Sequence, residues 1–291
     1  MNNTLLPFLL APAGTLSAAL LWLIIGLCVG SFLNVVIHRI PIMMQRESEN
    51  YLALEQDQPP VHSDRYNLIL PRSACPACGH TLSFKEIIPI FSYFKLQRRC
   101  SNCSTTISYR YPLVEAATGL LTGLVVWMLG SEMAGLSALI FVWMLIAMTF
   151  IDIDTQTLPD DLTLPLLWLG LLINLNGVFV PLSDAVIGAA AGYLFLWMVF
   201  WVFRFITGKE GIGYGDFKLL AALGAWLGWM MLPLIVLLSS AIGAAIGLIM
   251  ILFRGHQREH PIPFGPFLAL AGLVALLAGK PLIELYLGYP L

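Results

Sequence analysis

From Thr15 onward the chain sets one polar stretch among long apolar runs. A spanning helix needs about 20 mostly apolar residues, and the first run to meet this, Thr15–Ile37, carries no charge. It is too long for a signal-peptide core, and the leader Met1–Gly14 has neither Lys nor Arg, so a retained first span is expected. The polar stretch Arg39–Tyr111, 73 residues, is the only segment able to form a soluble domain. From Pro112 the pattern is almost continuously apolar. Gly, Pro and charged punctuation divides it into Pro112–Gly130, Ala134–Ile151, Leu162–Val180, Asp184–Ile206, Phe217–Met230, Pro233–Phe253 and Phe264–Leu287. The expected fold is therefore an all-α polytopic membrane protein with about eight transmembrane helices. Residues 1–38 form the first span, 39–111 an inserted domain and 112–291 a seven-helix membrane domain. If Phe217–Phe253 were one helix, the count would be seven and the C-terminus would change sides.

Composition agrees with the pattern: 58% of the residues are hydrophobic and 11% charged, against about 25% charged in an average soluble domain. The net charge of −2 provides no basic field for nucleic acid, and so apolar a chain excludes disorder as its dominant state. Charge also orients the spans, because short cytoplasmic loops collect Lys and Arg. With the N-terminus outside, nine basic residues fall between Arg39 and Arg110, and Arg204, Lys209, Lys218, Arg254 and Arg258 lie on the same side. Only Lys280 falls outside. Both termini are thus expected outside and residues 39–111 in the cytoplasm.

Four of the five cysteines form two pairs, Cys75-Pro-Ala-Cys78 and Cys100-Ser-Asn-Cys103, with 21 residues between them. Such pairs suit one tetrahedral Zn²⁺, each tight turn presenting two thiolates. Disulfides or redox pairs are the other reading, disfavoured on a reducing cytoplasmic face. Four thiolates leave no open position for water, so one structural zinc per chain is expected. Cys28, inside the first span, reads as a small buried hydrophobe.

Carboxylates beside spans are costly and tend to mark function. Asp152, Asp154, Asp160 and Asp161 follow the third span, and Asp216 lies in Gly213-Tyr214-Gly215-Asp216-Phe217-Lys218 before the sixth. Asp160 or Asp161 could cap the helix starting near Leu162, and Asp216 the one at Phe217, with Gly213 and Gly215 as turn residues. Both clusters lie on one membrane face in the expected topology. A pair drawn from them could share a proton and activate water, or relay protons in a transporter. Gly30, Asn34 and His38 share one helix face and read as helix packing. Glu115 reads as a first-turn carboxylate complementing the helix dipole, and His62 and His80 as solvated polar residues.

The motifs together resemble the bacterial type IV prepilin peptidases, bifunctional leader peptidase/N-methyltransferases of the Gly-x-Gly-Asp aspartic protease group. The resemblance covers nearly the whole chain. It rests on Gly30-Ser31-Phe32-Leu33-Asn34 through Pro41, the four-cysteine pattern continuing to Tyr111-Pro112-Leu113-Val114-Glu115, the Gly213–Lys218 signature, and Pro263-Phe264-Gly265-Pro266-Phe267. The family's first catalytic Asp stands seven residues before a Pro-Asp pair, which selects Asp152, before Pro159-Asp160, over Asp154; the second is Asp216. The resemblance implies a multi-pass inner-membrane endopeptidase that removes the basic leader of type IV prepilins and type II secretion pseudopilins on the cytoplasmic side. It also implies N-methylation of the new N-terminal residue with S-adenosylmethionine as donor; the residues that bind the donor are not implied. Ile87 replaces the usual Asn of Glu-Asn-Ile-Pro, and Arg98 stands where Gly is common; both bear on methylation. A proton-coupled transporter using Asp152 and Asp216 as a relay is the alternative, and a membrane scaffold whose zinc module docks partners is a third.

Overall fold

The computed structural model describes residues 10–209, 211–254 and 262–287. The first nine residues of the leader, Arg258 and the chain end at Leu291, which enter the expectations above, lie outside them. The described residues form nine α-helices: α1 (Leu16–Glu55), α2 (Phe91–Lys95), α3 (Arg110–Leu129), α4 (Met133–Thr155), α5 (Asp160–Asn174), α6 (Leu182–Thr207), α7 (Tyr214–Leu227), α8 (Leu232–Arg254) and α9 (Gly265–Leu287). Among them there are no strands, only two isolated antiparallel bridges. Each expected span coincides with a helix, and six helical segments are long and apolar enough to cross a membrane. The other two, α5 and α7, have 15 and 14 residues. At 1.5 Å per residue they reach only about 22 Å, short of the roughly 30 Å hydrocarbon layer. The Phe217–Phe253 region is two helices, broken at Gly228 (φ +79°) and a 3₁₀ turn at Trp229–Met231. Backbone contacts divide the chain into two compact units, Met1–Gly135 and Leu136–Leu291.

In the first unit α1 packs along α3. Gly26 and Gly30, one turn apart, let the helices meet: a Cβ on Gly26 would lie 2.6 Å from Thr122, and one on Gly30 2.7 Å from the Glu115 Cα. In apolar surroundings small residues supply the close packing that hydrophobicity cannot. Asn34, on the same face, donates to the Tyr111 carbonyl (3.1 Å), so the packing reading of this face holds for both residues, while His38 is exposed. Cys28, expected buried, is exposed on the helix surface. The helix does not stop where the first apolar run ends. It continues to Glu55, held by the loop that follows: the buried Arg39 donates to the Asn67 carbonyl (2.7 Å) and Arg46 pairs with Asp64 (2.9 Å). Both guanidinium groups lie over the Tyr66 ring, a cation–π arrangement that orders the loop against the helix.

The second unit is built around α7. Phe217 and every residue from Leu219 to Leu227 are buried, as expected of a helix apolar on all sides. Helices α5, α6 and α9 pack on it, α6 most closely where Gly188 meets Gly224 backbone to backbone. Trp226, fully buried, donates through Nε1 to the Leu166 carbonyl of α5 (2.7 Å) and packs against Phe141 and Phe179. The C-terminal carbonyls of α7 meet buried Asn174 at the end of α5. Its Nδ2 donates to Ala225 O (2.9 Å) and Trp226 O (3.1 Å), and its Oδ1 accepts from the N–H groups of Phe179 (3.0 Å) and Val180 (3.2 Å). One side chain thereby satisfies four backbone groups.

Asn174→Leu keeps the side chain's size but strands these four groups, so it should lower stability by about 2–4 kcal/mol. Thermal unfolding of the purified full-length chain measures this; an unchanged melting temperature would show that the α7 terminus is held by other means.

Candidate active site and thiol cluster

Helix α4 turns Phe141, Leu145, Met148 and Ile151 inward, a helical stripe that fixes its rotation. Asp152, next along, is consequently buried near the helix's C-terminal end, 5% exposed. Its Oδ2 accepts a hydrogen bond from the Gly265 N–H (3.0 Å), the first residue of α9. A side chain at 265 could not be accommodated: a Cβ would lie 2.6 Å from that oxygen. Asp216 sits in the first turn of α7 and is 7% exposed. Its Oδ2 accepts from the Gly213 N–H (3.2 Å), while its Oδ1 is buried with no hydrogen-bond partner among the described residues. Asp216 therefore does not cap a helix starting at Phe217: the helix starts at Tyr214 with Gly213 as its N-cap, and Asp216, three residues on, accepts from the Gly213 N–H through one oxygen. The two sites share a neighbour: Leu158, from the α4–α5 connection, packs against both Gly215, next to Asp216, and Gly265, which faces the Asp152 carboxylate. Buried carboxylates held by main-chain N–H groups and near one another can pass a proton between themselves and a water.

The remaining acidic residues are arranged differently. Helix α5 begins at Asp160 with Pro159 as its N-cap and no side-chain cap, so neither Asp160 nor Asp161 caps it; they lie in its first turn, where a carboxylate suits the dipole. Asp160 is paired with Lys218 Nζ (2.6 and 2.7 Å). Asp154 is exposed. Gly213 has an ordinary φ of −78°, so its value is not a left-handed turn; Gly215 is the constrained position, a Cβ there lying 2.7 Å from Leu158.

The four cysteines of the first unit come together with all Sγ atoms within 4.8 Å of one another. Cys75 and Cys103 are 3.8 Å apart, Cys78 and Cys100 3.9 Å. Four sulfurs about 2.3 Å from a central ion would stand about 3.8 Å apart, so the cluster could hold a metal ion. The two turns are copies of one another. Cys75 N–H donates to His80 O and Gly79 N–H to Cys75 O; Cys100 N–H donates to Thr105 O and Ser104 N–H to Cys100 O. The residue after each pair is left-handed, Gly79 at φ +70° and Ser104 at +59°. Arg98, two residues before Cys100, is also left-handed at φ +63°, the conformation in which glycine carries no steric cost.

Glu86 joins the two turns. It accepts from Ser83 N–H and Oγ and from Ser101 Oγ, with His80 3.4 Å away. These bonds, Ser101's first, hold its carboxyl at about 2, well below the usual range. With the folded value below the unfolded one, their contribution is complete above the ordinary glutamate value and is lost as pH falls toward 2. His62, expected to be solvated, is half-buried beside Glu49 (2.6 Å). Glu115, expected in a first turn, lies deeper because α3 starts at Arg110. It is buried and accepts from the Ile90 N–H (2.7 Å). That bond secures Ile90, which holds a φ of +60° rare for a β-branched residue, and ties the thiol-bearing segment to α3.

These features define a polytopic helical membrane protein with a four-thiol module and a pair of buried carboxylates. Its residues 24–129 match the bacterial peptidase A24 N-terminal domain and residues 139–248 the type IV leader peptidase family. A prepilin leader peptidase/N-methyltransferase of Aeromonas salmonicida is 55% identical over 266 residues, covering 90% of this chain and 91% of the relative. The protein of that name from Pseudomonas aeruginosa is 52% identical over 278 residues (94% and 95%), and that from Burkholderia pseudomallei 53% over 264 (89% and 85%). No solved structure matches the chain. The chain belongs to the type IV leader peptidase family.

Sequence reasoning passed over two groups here: the Gly265 N–H, for which the only signal was the unexplained Pro263–Phe267 motif, and Asn174, which carried none. Ser104→Gly and Arg98→Gly should each relieve left-handed strain of about 1 kcal/mol. Protection of the Arg39–Tyr111 segment against limited proteolysis of the full-length protein measures the gain; reduced protection in both variants would contradict the backbone account.

Proposed function

We propose that this chain is a membrane-embedded aspartic endopeptidase that removes the leader of type IV prepilins and type II secretion pseudopilins and methylates the new N-terminal amine. The observation that carries the proposal is the pair of buried carboxylates on separate helix ends, Asp152 bonded by Gly265 and Asp216 by Gly213, in a member of a leader peptidase family. One carboxylate, ionised, takes a proton from water as it attacks the scissile carbonyl. The other, protonated, donates to the carbonyl oxygen, and the roles exchange as the amine leaves. The unbonded Asp216 Oδ1 is the natural contact for that water.

The four thiolates of Cys75, Cys78, Cys100 and Cys103 suit one structural Zn²⁺, and its binding would contribute to folding of the segment 39–111. S-adenosylmethionine, the donor that the methyltransferase name of the relatives implies, would supply the methyl group when bound. The bacterial inner membrane is the proposed location, with the thiol module and both carboxylates toward the cytoplasm, where Lys and Arg gather. The transporter alternative draws no support from the relatives.

Purified protein should cleave a prepilin at its leader and add a methyl group when the donor is present. Asp152→Asn or Asp216→Asn should each lower cleavage by 10³-fold or more, on the order of the loss when one member of a catalytic set is removed. Asp154→Asn and Asp161→Asn should cleave substantially. Full cleavage by a folded Asp216→Asn protein would overturn the assignment.

A further inference from the structure

A groove of about 360 Å³ runs between α6 and α8, lined by Leu196 and Val199 of α6, Val236 and Ser240 of α8, and Ile212 and Phe264 of the segments between helices. It exists because α6 packs on α7 while α8 packs on α9, so its two walls do not close on one another. Its position is the informative feature. Ile212 directly precedes Gly213, whose N–H holds Asp216, and Phe264 directly precedes Gly265, whose N–H holds Asp152. Two of its lining residues thus directly adjoin, along the chain, the main-chain donors of both carboxylates. Its walls also present apolar side chains outward, Leu194 and Trp197 on α6 and Leu237 on α8, so an apolar segment can reach it from the hydrocarbon without crossing water.

We infer that this groove seats the apolar residues of the peptide substrate that follow the scissile bond, with Val199 and Val236 determining which side chains fit; the inference rests on Asp152 and Asp216 being the cleavage centre. The lining decides which side of the bond it takes. Among the described residues it contains no carboxylate to hold a basic leader, and the one polar side chain there is the Ser240 hydroxyl, so apolar side chains are what this lining fits. A peptide bond must be extended to be attacked, which leaves its backbone groups unpaired in an apolar medium. Seating the following side chains between α6 and α8 holds the segment extended at the carboxylates while those groups are unpaired.

The test is photo-cross-linking with the full-length Asp216→Asn protein and a prepilin carrying benzoylphenylalanine just after the scissile bond. Adducts should map to Val199, Val236 and their groove neighbours, and should disappear when Ser240→Trp, at an exposed position, fills the groove. Adducts on α1 or α3, or to lipid alone, would overturn the inference. With both aspartates intact, Val236→Trp and Ser240→Trp should each lower kcat/KM roughly tenfold or more, mainly through KM. Both should recover on a prepilin whose first large apolar residues after the bond are alanine. An unchanged kcat/KM in both variants would contradict the assignment, whereas a wild-type protein that cleaves no prepilin removes the cleavage reading itself.

Discussion

The second unit depends on a helix too short for the medium around it. Helix α7, 14 residues long, spans about 21 Å against a hydrocarbon layer of roughly 30 Å. Both of its ends therefore need partners from the protein. At the C-terminal end Asn174 takes the last carbonyls. At the N-terminal end Asp216 takes the Gly213 N–H, and because a carboxylate has two oxygens, one remains over. The close approach of α6 at Gly188 and Gly224 and the Trp226 contact with α5 lock the helix in place, so that the spare oxygen is held in one position.

The same logic places Asp152. The inward stripe of α4 sets its rotation, and the start of α9 supplies an N–H from a residue that has no side chain to intrude. Among the described residues both carboxylates are thus bonded by backbone groups rather than by a basic side chain. A salt bridge would tie each of them up as a permanent anion, whereas neutral N–H donors leave room for one proton to be shared. Lys218, the nearest cation in the chain to Asp216, is occupied by Asp160. In the first unit a comparable economy joins two copied cysteine turns through Glu86 and anchors them to α3 through Glu115.

Much of this was legible beforehand because it is written in side-chain type and spacing. Uninterrupted apolar runs gave the helices, and paired cysteines gave the cluster, whose sulfurs the fold gathers. Asp216 could be read only as a cap or a reacting group, since sequence does not say that its helix starts at Tyr214 and that the carboxylate reaches back to the Gly213 N–H. The Gly265 N–H and the full role of Asn174 were hidden for a different reason: a main-chain donor has no residue signature, and an isolated Asn in an apolar run looks like a blemish. The misreading of Glu115 came from a helix that starts two residues before Pro112, and that of Cys28 from treating a span as buried on every side. Arg98 stood out as a departure from glycine, and its left-handed φ explains why glycine suits the position.

In the proposed reaction the two carboxylates activate water rather than attack the peptide themselves. A single turnover with excess enzyme in H₂¹⁸O tests it, with the released leader analysed by mass. Direct attack by activated water places one ¹⁸O in the leader's new carboxylate in that first turnover and none in Asp152 or Asp216. A leader that emerges unlabelled, with ¹⁸O in one of the aspartates, would show a covalent intermediate and contradict the account.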